Sequence, residues 1–371
     1  MDRRRIIRQW KQGSARVLVT LVRAEGSSYR RPGAHLLIGA DGGYAGTISG
    51  GCLETEVVRK AEWMVRDGAV VERYSTLFDD TSEIPFGLGC GGVVDLLLEP
   101  AGTAECRALV DAMEVSLCGV ESRSVTWLPS DGAPLRRAIL SGTGKAMFQS
   151  EGLSGGDVDA VNAHSGSAFD HGFGVYVEDL SAPLRLFVLG AGDDAKPVVR
   201  MASELGWRIT VADGRTQPAR AERFPEAERV LAGAPVAELG IEAADAVVIM
   251  THSYEQDREL LTALLGAGEV PGYIGLLGAS HRSSLLVSEA AAALGLSVAA
   301  CCERVWAPVG LDLGGDGAEA IALAIVAEVQ AWRQGKLGSS RRLTAERVAE
   351  HVARGGASRY LQTQCALGAA K

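Results

Sequence analysis

The stretch LRLFVLGAGDDAKPVVRMASELGWRITVADGR, Leu184 to Arg215, constrains the fold more than any other part of the chain. Its first residues form a short apolar run bounded by glycine, as a buried strand requires, and an amphipathic run at helical spacing follows the glycine turn. RITVADGR reads as a second strand, ADAVVIMTHS as a later one, YIGLLGAS and SVAACCERVWAP as extensions of the sheet, and DGAEAIALAIVAEVQAWRQ as a final helix. Strands alternating with helices predict a parallel sheet covered on both faces. Asp213 closes the second strand at the offset where an acid meets ribose in dinucleotide folds, which makes Gly190, Gly192 and Asp213 candidate cofactor-binding residues. Asp193 and Asp194 put two carboxylates where a pyrophosphate would meet the helix N-terminus, so NAD(P) is disfavoured there. Helix capping and a part in ligand or metal binding are both open for this pair.

Upstream the grammar differs. Asp2–Gln12 predicts a short helix, ARVLVTLVRA, GAHLLIGA and YAGTIS predict strands, and CLETEVVRKAEWMVRDG predicts a helix after Gly50 and Gly51. A second strand pair, AVVERYS and VVDLLLEP, flanks the segment that holds Cys90. From about 101 to 182 a helix, ECRALVDAME, is mixed with strands and a polar tract containing His164 and His171, which read as loop surface. The predicted fold is α/β: a small N-terminal α+β cysteine-containing domain (1–182, with an irregular excursion at about 101–182), a Rossmann-like parallel-sheet domain (183–334), and a basic, helical tail (335–371).

Composition narrows the function classes. A chain of 371 residues predicts two or three packed units. A net charge of −9 and an aromatic content of 5% argue against nucleic acid or an anionic membrane as partner. The arginine-rich N-terminus lacks a following apolar segment and no run approaches a membrane span, so the cytoplasm is the expected location. The seven cysteines form no C-x-x-C pair, which fits neither a disulfide scaffold nor a zinc ribbon, and Cys106, Cys118 and Cys365 read as small hydrophobes. Cys301 and Cys302 are predicted on a strand, facing opposite sides.

Two cysteines stand apart because glycine surrounds them. Cys52 follows Gly50 and Gly51 at the predicted first turn of a helix, where the dipole and free N–H groups favour thiolate. Cys90 lies between Gly89 and Gly91, which permit a close approach by another molecule. Each also reads simply as a small residue filling a tight turn. The segment Glu25–Ala34 supplies Ser27, Ser28, Arg30 and Arg31, a set that holds a phosphate through charge-assisted hydrogen bonds or serves as an ordinary solvated loop. The three glycine-rich loops lie at the ends of adjacent predicted strands, placed to converge on one anionic, thiol-sensitive ligand. Thr251-His252-Ser253 after a strand, and Gly278 to Arg282 at a helix start, are lesser candidates.

GSSYRRPGAHLLIGADGGYAGTISGGCLETEV, followed by GLGCGGVVDLLLEP, resembles the N-terminal half of the XdhC/CoxI family of molybdenum hydroxylase maturation factors. The run from Arg185 to Arg215, with YIGLLGAS and APVGLDLGGDGAEAIALAIVAE, resembles its Rossmann half. The resemblance implies a non-catalytic chaperone that binds molybdenum cofactor, a pterin dithiolene phosphate, shields it during sulfuration and delivers it to a xanthine dehydrogenase-type apo-hydroxylase. It implies that Cys52 and Cys90 contact the molybdenum or its sulfur ligand and that Ser27, Ser28, Arg30 and Arg31 meet the phosphate or pterin edge. A cysteine desulfurase and a second copy of the chain are the further implied partners. Two departures stand out: Ala279-Ser280-His281-Arg282 where the family has serine followed by basic residues, and Asp193–Asp194 where some members have a histidine. The competing readings are an NAD(P)-dependent oxidoreductase built on Gly190, Gly192 and Asp213, and a scaffold that only recruits partners.

Overall fold

The computed structural model describes residues 2–51, 53–75, 92–130, 132–162, 168–170, 174–215 and 219–338. Contacts divide the chain into two compact units: Met1–Leu186 with Ala202–Thr210 and Phe224–Val230, and Phe187–Met201 with Val211–Arg223 and the chain from Leu231.

The first unit begins with α1 (Asp2–Lys11), β1 (Ala15–Gly26), β2 (His35–Gly39), β3 (Tyr44–Gly46), α2 (Glu54–Met64), β4 (Val70–Ser75) and β5 (Gly92–Pro100). Its strands form an antiparallel sheet in the order β3-β2-β1-β5-β4. Val17, Val19 and Leu21 pack with Val57 and Ala61 of α2 on one face, while Leu18 and Leu37 meet Ile6 of α1 on the other. Burial of both faces explains why VLVTLV is apolar at every position but Thr20, where a half-solvated strand would alternate.

The stretch that is hardest to place from sequence carries α3 (Ala104–Leu117), β6 (Ser122–Trp127), β7 (Arg136–Ser141), β8 (Ala146–Gln149), α4 (Gly155–Asn162), β9 (Ala168–Asp170) and β10 (Val175–Leu180). The strands make a second antiparallel sheet, β8-β7-β6-β10-β9. Thr103 caps α3 by accepting from the Cys106 amide, and the helix buries Leu109 and Met113 with Ile6, Ile139 and Leu180. A fully buried pair ties the layers: Arg137 donates to both oxygens of Glu99 (2.8 and 3.0 Å), to Thr126 and to the Glu105 carbonyl.

The remaining elements are β11 (Arg185–Leu189), α5 (Ala195–Glu204), β12 (Arg208–Asp213), β13 (Arg229–Ala232), β14 (Ala246–Ile249), α6 (Tyr254–Leu265), β15 (Tyr273–Leu276), α7 (Ser280–Leu294), α8 (Val298–Cys302), β16 (Val305–Trp306) and α9 (Ala318–Arg333). The strands form a parallel six-stranded sheet, β13-β12-β11-β14-β15-β16, as the alternating strand and helix pattern predicts. Leu189, Ile249 and Leu276 from the sheet bury with Leu261, Leu264 and Leu286 from the helices.

One local expectation fails. Cys301 and Cys302 end the short helix α8, and only Val305–Trp306 pairs with β15. Ser297 accepts from the Ala300 amide and so caps a run whose alanines favour helix over strand. Cys301 is buried and Cys302 exposed. Among the described residues no helix is long and apolar enough to cross a membrane.

Candidate functional site

In the first unit the ladder between β1 and β5 ends where Gly26 faces Gly92. Gly92 itself is thereby brought against the Glu25–Ala34 loop. A Cβ on Gly92 would lie 2.1 Å from the Ser27 carbonyl oxygen, so only glycine fits this approach. Leu21 closes the other side of the loop: its carbonyl accepts from Gly33 N–H (2.9 Å) and its amide donates to the Ala34 carbonyl (2.9 Å). Gly33 has a left-handed φ of +92°, and its missing side chain would meet Tyr176 Oη and Glu178 Oε1 of β10 at 3.4 and 3.5 Å. Beneath the loop His35 bridges Thr20 Oγ1 (3.0 Å) and Glu178 Oε1 (2.9 Å), all three buried.

The polar side chains of this loop divide sharply. Ser28 Oγ donates to the Arg30 carbonyl (2.7 Å), and the Arg30 guanidinium pairs with Asp2 of α1 (2.6 Å). Ser27 and Arg31 are exposed, and Arg31 has no ion pair among the described residues. The Tyr29 ring, 75% exposed, covers Gly50, whose missing Cβ would lie 3.5 Å from it. The Thr47–Gly51 segment and the arginine loop are therefore neighbours at the same end of the sheet. Cys52, Gly89, Cys90 and Gly91 lie outside the described residues.

A single carboxylate organises the Thr47–Gly51 segment. Glu54, in the first turn of α2 and 1% exposed, accepts from the amides of Ile48 (3.1 Å), Ser49 (2.8 Å) and Gly51 (3.0 Å) and from the hydroxyls of Thr47 and Ser49. Ser49 Oγ in turn accepts from the Leu53 amide (3.1 Å) and stands in for the absent side-chain cap at Leu53. Burial alone would raise the Glu54 carboxyl, but donation from Ser49 and Thr47 outweighs it and holds the group down to about 2. Glu54 has no assigned role in the sequence reading, because an acid in a helix's first turn ordinarily faces the dipole and solvent. The signal available was the pair of hydroxyls, Thr47 and Ser49, just upstream of it.

The glycine turn of the second unit is built differently. Gly190, at φ +122°, approaches the Met250 carbonyl so closely that a Cβ would lie 2.3 Å from its oxygen. Asp213 accepts from Ala191 N–H (2.8 Å) and from the Arg215 amide and guanidinium (2.8, 3.0 and 2.9 Å). Burial would raise its carboxyl, yet the Arg215 and Ala191 donors keep it below the ordinary range. Asp193 is exposed and paired with Lys196 (2.7 Å) and Arg223 (2.8 Å), whose hydrogen bonds lower its carboxyl. Asp194 Oδ2 meets His252 Nε2 at 3.0 Å, while its Oδ1 is buried without a hydrogen-bond partner. Among the described residues His252 alone of the non-glycine residues has a positive φ, +65°. Gly192 leaves the room: a Cβ there would stand 2.3 Å from Asp194 Oδ1 and 3.2 Å from His252 Nε2. At the start of α7, Arg282 is taken up by Asp257 (2.7 Å) and the Leu277 carbonyl (3.1 Å), and Asp257 also holds Thr251. No group of three or more metal-ligating side chains occurs among the described residues.

A glycine-rich α+β unit and a parallel sheet with a strand–GAG–helix turn define a two-part α/β protein of the Rossmann-containing kind. Residues 9–75 match the profile of the XdhC and CoxI family, and residues 186–329 match the XdhC Rossmann domain. The chain belongs to this family. It is 28% identical over 326 residues to a probable xanthine dehydrogenase subunit of Bacillus subtilis, covering 84% of this chain and 92% of that protein. It is 26% identical over 322 residues to the molybdenum cofactor insertion chaperone PaoD of Escherichia coli, covering 86% and 84%. A crystal structure described as a xanthine dehydrogenase from Bacillus halodurans superimposes with a TM-score of 0.77 at 29% identity, over 92% of this chain and 98% of that one.

Proposed function

We propose that this chain is a cytoplasmic molybdenum cofactor chaperone that protects the cofactor during sulfuration and inserts it into a xanthine dehydrogenase-type apo-hydroxylase. A cysteine desulfurase is the proposed sulfur source, and the chain acts as a homodimer. The observation that carries the reading is the meeting of the arginine loop, the Thr47–Gly51 segment and the Gly92 end of β5 at one end of the first sheet. The donor set suits an anionic pterin: Arg31 is exposed and unpaired among the described residues, Ser27 is open, and Gly51 has nothing within 4 Å of where a Cβ would be. Arg31 and Ser27 would hold the phosphate, with Ser28 and Arg30 fixing the loop. The glycine backbone at Gly50 and Gly51, with Gly89 and Gly91, would let the pterin approach. Cys52 and Cys90 would supply soft sulfur donors to the molybdenum or its sulfur ligand. Glu54 would hold the first cysteine's loop in shape. The name of the Escherichia coli relative, an insertion chaperone, supports the same reading.

The test is anaerobic retention of molybdenum cofactor by the wild-type chain and by Cys52→Ser, Cys90→Ser and Arg31→Ala. The expected result is loss of retained molybdenum in each cysteine variant and weaker retention with Arg31→Ala. Equal retention by all four proteins would remove the thiols and the arginine loop from the function.

A further inference from the structure

In the first unit β3 is an edge strand, pairing with β2 alone, and α1 is fastened beside it. Ile6 of α1 packs with Leu37 of β2 and Ala45 of β3, Gln9 Nε2 donates to the Gly43 carbonyl (3.0 Å), and the Ala40 amide donates to the Ser14 carbonyl (2.8 Å). The helical face next to these contacts carries Arg5, Arg8 and Gln12, spaced so that they lie one above another. They border a hollow of about 420 Å³ that the three residues of β3 also line.

Charge singles this hollow out. Arg5 and Arg8 are exposed, and neither has an ion pair or hydrogen bond among the described residues. Their neighbours on α1 are engaged: Arg3 donates to Ser116 and to the Ser181 carbonyl, and Lys11 pairs with Glu114. Asp41, the acid in the lining, accepts from the Gly43 amide (3.0 Å) and pairs with neither arginine. Two guanidiniums one helical turn apart, with no protein acid to meet them, are donors suited to carboxylates.

The shape decides what brings those carboxylates. Most of the lining is exposed, so a small anion would keep much of its water there, whereas small-ligand pockets enclose their guests. An extended chain gains more, because the outer side of β3 offers its backbone groups to an added strand. Tyr44, 50% exposed at the start of β3, adds the amphipathic aromatic surface that protein interfaces favour. Asp41 and Gly43 of the β2–β3 turn, with Ser14 before β1, set this hollow towards the end of the sheet opposite the arginine loop, which joins β1 to β2.

We infer that the hollow docks an extended acidic segment of a partner protein, which adds a strand to the edge of β3 and sets its carboxylates against Arg5 and Arg8. The site is separate from the proposed cofactor loops and stands whether or not they bind a pterin.

Fluorescence anisotropy of a labelled peptide of about ten residues, glutamate alternating with threonine, titrated with the full chain, tests this. Saturable binding is expected, weakened at least about tenfold in the Arg5→Glu, Arg8→Glu double variant with an unchanged melting temperature. Arg200→Glu, at an exposed position of α5, controls for net charge and is expected to bind like the wild-type chain. A peptide with glutamine in place of glutamate is expected to bind at least about tenfold more weakly. Alternate N–H groups of a strand point to opposite sides, so of two peptides N-methylated on the glutamate or on the threonine nitrogens, one should lose at least about tenfold and the other bind normally. No saturable binding, undiminished binding of the glutamine peptide, equal binding of the two N-methylated peptides, or a double variant that binds no worse than Arg200→Glu would each overturn the inference. Displacement of the peptide by an equal concentration of inorganic phosphate would also overturn it, reducing the hollow to a small-anion site. Cofactor retention by the double variant is expected at the wild-type level, and a fall would assign these arginines to the cofactor and overturn the inference.

Discussion

The two glycine-rich corners of this protein solve the same problem, holding a tight turn at the end of a sheet, with opposite chemistry. In the first unit Glu54 is buried, pairs with no described cation and is satisfied by amide and hydroxyl donors. In the second, Asp193, Asp194 and Asp213 each face a basic side chain. A carboxylate satisfied by neutral donors draws no neighbouring arginine, and Arg31 stays exposed and unpaired among the described residues. Where the acids are matched by bases, a ligand must compete with existing pairs. The first corner is built to keep a cation available, and the second to keep charge balanced.

The sharpest way to break this contrast is Glu54→Ala, which leaves several buried donors without an acceptor. A loss of about 3 kcal/mol in urea unfolding is expected, and a loss below about 1 kcal/mol would show that water replaces the carboxylate. The same group sets an acid limit. Its folded-state value lies below its unfolded one, so its contribution is fully present above about pH 4.5 and is lost as pH falls towards 2. Glu54→Gln should flatten that acid-side fall. Gly92→Ala comes next: its Cβ would press on the Ser27 carbonyl, and a cost of about 2 kcal/mol is expected by the same measurement. In the second corner His252→Gly should stabilise the fold by about 1 kcal/mol, because glycine adopts the left-handed backbone without strain. Destabilisation instead would mean that the contact with Asp194 outweighs that strain. Smallest of all is Asp193→Ala, which removes an exposed carboxylate, and no measurable change in melting temperature is expected.

Legibility from sequence followed the range of the interactions. The Rossmann half is written locally, since strand, glycine turn, helix and the closing Asp213 fall within about thirty residues and each obeys its own period. The arginine loop and the Thr47–Gly51 segment were legible as neighbours for the same reason, since hairpin connections keep β1, β2 and β3 adjacent, while the loop that holds Cys90 lies outside the described residues. The middle sheet was not, because its strands are short and set among polar turns, and its anchor joins Arg137 to Glu99 across the sequence. The partners of Asp193 and Asp213 were missed for two reasons. Arg223 comes from a distant segment, and Arg215, only two residues on, reads as a loop arginine although its amide and guanidinium fold back onto Asp213. Cys301 and Cys302 misled because an apolar run bounded by turn residues fits a strand or a buried helix equally well.

The contact of Gly33 with Tyr176 and Glu178 has a practical side. Residues that read in the sequence as an irregular excursion form the floor on which the arginine hairpin rests. Anyone trimming the protein to a minimal N-terminal fragment should cut after β10 and not before α3, or the fragment will keep its basic loop and lose what gives that loop its shape.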